Sequence, residues 1–91
     1  MYKDYREKIK TLIEIDVESY IETCGGCPTV FEFNDADNTG YYFRLRNGYA
    51  RIVCEDIDET LIEINMNGFD GVCNWDDVLK WAKGNGVLIN Y

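Results

Sequence analysis

From Thr29 to Met66, apolar and polar residues alternate in four short runs separated by turn residues. This pattern predicts four β-strands, over Thr29–Asn34, Tyr41–Arg46, Tyr49–Cys54 and Thr60–Met66. Asn47-Gly48 between the second and third runs is the signature of a two-residue type I′ hairpin. With Arg46 facing Tyr49, Leu45 faces Ala50, Phe43 faces Ile52 and Tyr41 faces Cys54, all six on one face. With Cys54 facing Thr60, Ile52 meets Ile62 and Ala50 meets Ile64. The apolar face stays in phase through three strands of an antiparallel meander.

Two helical segments flank the meander. Near the N-terminus, Tyr2, Tyr5, Ile9, Leu12 and Ile13 share a stripe at 100° per residue, and the wheel extends to Val17, Tyr20 and Cys24. Asp16 falls inside that stripe, where an unpaired carboxylate is costly. A break at Ile15–Asp16, with Asp16 capping a second short helix over Val17–Thr23, resolves the conflict. The alternation in "LIEIDVE" fits a strand as well. Gly25 and Gly26 then stand where a helix needs a positive φ, and Pro28 cannot continue one. Downstream, "NWDDVLKWAKG" predicts a helix capped by Asn74 and ended by Gly84, with Asp76 and Asp77 in the first turn and Lys80 and Lys83 toward the last. Its buried stripe is Trp75, Val78, Leu79 and Ala82, with Trp81 at the edge. "VLIN", residues 87–90, offers a short fifth strand. The expectation is one α+β domain over residues 1–91: a two-layer, four-stranded antiparallel meander covered on one face by N-terminal and C-terminal helices.

Composition narrows the chemistry. The chain has 91 residues, no histidine and a net charge of −8. Without histidine, Ser-His-Asp and Cys-His nucleophile systems are ruled out, and no catalytic set or cofactor motif stands in the sequence. No apolar run approaches the ~20 residues that span a bilayer, and "MYKDYREKIK" lacks the apolar core of a secretory signal. The expectation is a cytoplasmic chain without a membrane partner. The charge is segregated. Residues 14–40 carry −7 and residues 55–77 carry −8, whereas residues 41–54 carry +3. An acidic chain is repelled by bare nucleic acid and drawn to basic protein or nucleoprotein surfaces.

The four cysteines are the next candidate. Cys24 and Cys27 in "CGGC" resemble half of a zinc knuckle, so a four-cysteine ion would need Cys54 and Cys73 as well. The bland reading is a helix-to-strand joint with thiols packed as small hydrophobes. A redox pair fits poorly, because Cys24 falls at a predicted helix C-terminus, where the dipole opposes a thiolate. "DADNTG", residues 35–40, starts like an EF-hand loop, but the twelfth position is Arg46 and the flanks read as strands. Tyr42, Arg44, Arg46, Tyr49 and Arg51 point away from the core, in outline like a single-strand RNA platform. The structural reading is a charge ladder, Glu32–Arg44–Arg51–Glu63, neutralising the opposed arginines.

In size, acidity, aromatic content and single-domain α+β layout, the chain resembles the small acidic anti-defence proteins of phages, the anti-CRISPR proteins and DNA mimics. The resemblance implies a non-enzymatic inhibitor, in the bacterial host cytoplasm, that occupies a basic nucleic-acid-binding surface of a nuclease or CRISPR-type effector complex. The contacts expected on that reading are Glu55, Asp56, Asp58 and Glu59 in one loop, Glu18 and Glu22 in the acidic N-terminal region, and the aromatics Tyr42 and Trp81. Direct nucleic-acid binding is not expected from the net charge. One alternative is an adaptor that self-associates, as a homodimer, through its sheet. A second is a small zinc protein held by Cys24, Cys27, Cys54 and Cys73.

Overall fold

The computed structural model describes residues 13–26 and 28–91. The order is β1 (Ile13–Gly25), β2 (Thr29–Asp35), β3 (Gly40–Arg46), β4 (Tyr49–Cys54), β5 (Glu59–Asn65), α1 (Trp75–Gly84) and β6 (Val87–Asn90). The six strands form one sheet in the order β5-β4-β3-β2-β1-β6, curled into a nearly closed barrel. All pairs are antiparallel except β1 with β6.

This corrects the two-layer expectation. The segment predicted as a helix over Val17–Thr23 belongs to β1, a 13-residue strand. The helix expected over residues 2–13 lies, but for Ile13, outside the described residues. β-Branched Ile13, Ile15 and Val17 alternate with Glu14, Asp16 and Glu18, a pattern that suits a strand buried on one face. Asp16 then points outward, where Asn90 Nδ2 donates to Asp16 Oδ1 at 2.8 Å and to Glu14 Oε2 at 2.9 Å. The carboxylate that forced a break in a helix needs none in a strand. Gly25 and Gly26 cap no helix, and the glycines with positive φ are Gly48, Gly68 and Gly86.

The meander keeps its predicted register between β3 and β4: Tyr41, Phe43 and Leu45 oppose Cys54, Ile52 and Ala50. The type I′ turn forms at Asn47 (φ 54°) and Gly48 (φ 76°). Between β4 and β5, Ile52–Ile62 and Ala50–Ile64 pair as expected. An irregularity at Leu61 then sets Cys54 opposite Glu59, not Thr60. Bulges accentuate bend and twist, and β1 carries two more, at Glu18 and Thr23. The sheet therefore wraps its own core, in place of a flat meander covered on one face by two helices.

One helix plugs the opening between β5 and β6. Asn74 and Asp77 form a reciprocal capping box, each side chain accepting the other's backbone N–H at 2.9–3.0 Å. Trp75, Val78 and Ala82 are buried. Trp81 sets its ring edge-on against Phe43, 5.5 Å between centroids, and donates Nε1–H to the Asn65 carbonyl at 3.3 Å. Beyond the helix Gly86, not Gly84, takes the left-handed conformation (φ 89°). Among the described residues no helix is long and apolar enough to cross a membrane.

Thr29 is the buried polar residue of the core, with no exposed surface. Its hydroxyl lies 2.7 Å from the Gly71 carbonyl and 3.0 Å from that of Gly26, so it ties the start of β2 to the loop before α1. Thr29→Val keeps the shape and removes the donor. The expected loss is about 1–3 kcal/mol in a urea melt, the cost of leaving a buried carbonyl unbonded.

Candidate functional site

Two turns meet at one end of the barrel. The β2–β3 turn, residues 35–40, and the β4–β5 hairpin, residues 55–58, are joined by the Glu55 N–H donating to the Gly40 carbonyl at 2.8 Å. Gly40 N–H donates in return to Asp56 Oδ1 at 3.4 Å. A Cβ at Gly40 would stand 3.3 Å from Glu55 Oε1, the mobile tip of an exposed side chain, so the two turns lie in close contact here. Beside them, against β1 and β2, lies a concavity of about 340 Å³, lined by Ser19, Ile21, Glu32 and Asn34 from the strands and by Asn38, Glu55 and Asp56 from the turns.

Asp35 organises the first turn. Its Oδ1 accepts the N–H groups of Asp37 and Thr39, both at 2.9 Å, and its Oδ2 accepts the Tyr41 hydroxyl at 3.1 Å. The Thr39 N–H is the main reason that this carboxyl is held below its usual range. Burial, and then Asp35, push the Tyr41 phenol up to about 12, so it remains a donor at neutral pH. Asp35, the first acid of "DADNTG", therefore builds an Asx-type turn, its carboxylate turned onto its own backbone. Asp37, Glu55, Asp56, Asp58 and Glu59 stay exposed.

The residues expected to contact a partner divide. Glu55, Asp56, Asp58 and Glu59 share this end, and the bulge residue Glu18 lies beside it, next to the Val17–Asp35 pair. Glu22 sits four residues on, roughly 13 Å along β1 at the rise of an extended strand, opposite Phe31. Tyr42 lies on the outer sheet face with the Arg51 guanidinium 5.9 Å from its ring centre. Trp81 stands near Asn65, roughly 20 Å along β5 from Glu59. There Trp81 borders a separate cleft of about 630 Å³ with Ile64, Met66, Phe69, Asp77 and Lys80. Asp37 joins the acidic end though the sequence did not single it out. The signal was present, because pairing Tyr41 with Cys54 sets the 35–40 turn against residue 55.

The outer face of β3 and β4 carries the opposite charge. Arg44, Arg46, Tyr49, Arg51 and Glu63 border another concavity, of about 320 Å³. The expected four-residue ladder forms only in part. Val30, not Glu32, opposes Arg44, and Glu32 opposes Tyr42. Arg51 pairs with Glu63 at 3.8 Å, the one ion pair within 4 Å among the described residues.

The cysteines do not converge. Cys24 is exposed at the end of β1, in the outward row of Val30, Arg44 and Arg51, whereas Cys54 is buried on the inner face of β4. Three strand spacings, roughly 14 Å, separate them on opposite faces of the sheet. They cannot share a tetrahedral ion. Cys73 is buried, and burial first, then Asp77 and Glu22, push its thiol up to about 11. Cys27 lies outside the described residues. Among the described residues no three cysteine or carboxylate side chains gather as metal ligands do. Comparison with protein-family models, curated proteins and solved structures yields no match for this chain.

Proposed function

We propose that this chain is a non-enzymatic protein-binding module that occupies a basic, nucleic-acid-binding surface of a nuclease or CRISPR-type effector complex through the acidic end of its barrel. The observation that carries this reading is the joining of two acidic turns across Gly40. Five exposed carboxylates, at Asp37, Glu55, Asp56, Asp58 and Glu59, stand on a backbone fixed by hydrogen bonds and not on a loose tail. A fixed array loses less entropy on docking than a flexible one, and its field steers a basic partner. Neither turn contains a lysine or arginine to offset it. The resemblance in size and charge to phage anti-defence proteins supports the same class of partner.

The test is competition. A purified effector–guide complex is titrated with the protein while binding of fluorescent target DNA is followed by anisotropy. Displacement is expected at about 50 mM salt and should weaken steeply toward about 300 mM, as screening predicts. The variant Glu55→Lys/Asp56→Lys/Asp58→Lys/Glu59→Lys, folded by circular dichroism, should fail to displace the DNA. Undiminished displacement by that variant, or no displacement from any of a panel of effectors and nucleases at low salt, defeats the proposal.

A further inference from the structure

We infer that the outward face of the β3–β4 hairpin is a binding site for single-stranded nucleic acid, with phosphates on Arg44, Arg46 and Arg51 and a base against Tyr49. This inference stands independently of the acidic end, and its test involves no protein partner.

The argument begins with an electrostatic cost. Arg44 and Arg51 are directly opposed across two antiparallel strands, and Arg46 is opposed to Tyr49 two residues along on the same face. Like charges so placed destabilise a sheet unless something neutralises them. A ladder with glutamates on both sides would do so. On the β2 side Val30 stands directly opposite Arg44, and Glu32, opposite Tyr42, lies only diagonally from it and makes no ion pair with it within 4 Å. On the β5 side Glu63 reaches Arg51 at 3.8 Å, a long contact between half-exposed groups. Among the described residues, three guanidiniums and one carboxylate, that of Glu63, line one concavity of about 320 Å³. An anion with several charges at intervals would complete the arrangement.

The aromatics choose among anions. Tyr49 is 46% exposed, and Tyr42 lies under the Arg51 guanidinium on the same open face. Rings beside guanidiniums on a sheet offer π-faces to unstacked bases and charge to the backbone. A peptide carboxylate would use only the charge. The net charge of −8 opposes nucleic acid on average, but the local field decides. The acidic hairpin lies at the far end of β4, roughly 17 Å from Tyr49 along the strand. That is about two Debye lengths at physiological salt, so the acids are largely screened from the Arg46–Tyr49 end of this face, while Arg51, four residues from Glu55, lies closer to them.

The experiment uses fluorescein-labelled dT and rU 12-mers and anisotropy. Three phosphate contacts on a single strand give a log–log salt slope of about −2, so affinity should fall about 20-fold between 50 mM and 200 mM salt. Arg44→Ala/Arg51→Ala should reduce the slope to about −0.7 and the salt effect to about threefold. Tyr49→Ala should weaken binding about tenfold with the slope unchanged, since stacking releases no counterion. Thermal melts check that each variant is folded. The inference is overturned if no 12-mer binds at 50 mM salt. It is equally overturned if the double arginine variant binds as the parent does, or if a 12-base-pair duplex binds as tightly as the single strand.

Discussion

Phe43→Ala is expected to lower the free energy of unfolding by about 3–5 kcal/mol, read from urea denaturation followed by circular dichroism. Phe43 has no exposed surface. It opposes Phe31 on β2 and Ile52 on β4, and its ring lies 6.3 Å from that of Phe31 and 5.5 Å from that of Trp81 on the helix. It therefore joins three strands and the plug at once. Truncation removes those contacts and leaves a cavity that a curled, hydrogen-bonded sheet cannot collapse to fill. Small domains have a total stability of about 5–15 kcal/mol, so the variant would lose much of its folded margin. Ile57→Ala is the control, because Ile57 is 66% exposed in the β4–β5 hairpin and should change stability by less than about 0.5 kcal/mol. A loss at Phe43 below about 1.5 kcal/mol would mean that the barrel interior is not packed around this ring.

The same ring shows what the sequence disclosed. Phe43 against Ile52 follows from a single dipeptide: Asn47-Gly48 fixes a two-residue turn, and the turn fixes every pair above it. The helix from Trp75 was equally legible, because its cap, first-turn acids and apolar spacing are all local. β1 was not. After Val17 the bulge at Glu18 delays the next inward residue to Tyr20, which pairs with Phe33. A strand with extra residues has inward positions three or four apart, which is the spacing of a helical stripe. The wheel that joined Val17 to Tyr20 was reading the bulge at Glu18 as a helical turn, whereas Cys24, opposite Val30, faces outward and belongs to no stripe. The parallel pairing of β1 with β6 left no local trace at all, since it joins Asp16 to Asn90. With β1 as a strand and β6 beside it, a half-covered meander becomes a barrel.

The candidate surfaces divide along the same line. Each acidic loop was visible by itself, but their meeting depends on Gly40 lying beside Glu55, a consequence of register. The arginine face was visible in the alternation of β3 and β4. Its expected neutralisation by Glu32 failed because residues 36–39, a longer turn than Asn47-Gly48, set the β2–β3 register so that Glu32 opposes Tyr42. Charge segregation along the sequence thus became segregation in space, with the acids at one end of the β3–β4 hairpin and the arginines toward the other.

Trp75 supplies the second large effect, and a contrast that tests the packing more finely. It is 7% exposed, stacks on Tyr20 at 4.3 Å and 8°, and meets Phe31 and Phe33 at 5.4 Å and Tyr91 at 6.2 Å. Trp75→Ala should cost about 3–5 kcal/mol, since it empties the centre of an aromatic cluster that binds β1, β2 and the C-terminus to the helix. Trp75→Phe should cost less than about 1.5 kcal/mol, although it too removes apolar area. The reason is the indole nitrogen. Trp75 Nε1 is buried and has no hydrogen-bond partner among the described residues, a penalty of about 1–3 kcal/mol that phenylalanine does not carry. Relief of that penalty offsets part of the lost contact with Tyr20. The position is well suited to the comparison, because the Asn74–Asp77 capping box holds the first turn in place whichever ring follows Asn74. If phenylalanine proves as damaging as alanine, the indole N–H is satisfied in solution by a group that the aromatic cluster excludes here. If it proves nearly neutral, this end of the barrel is held by ring packing alone.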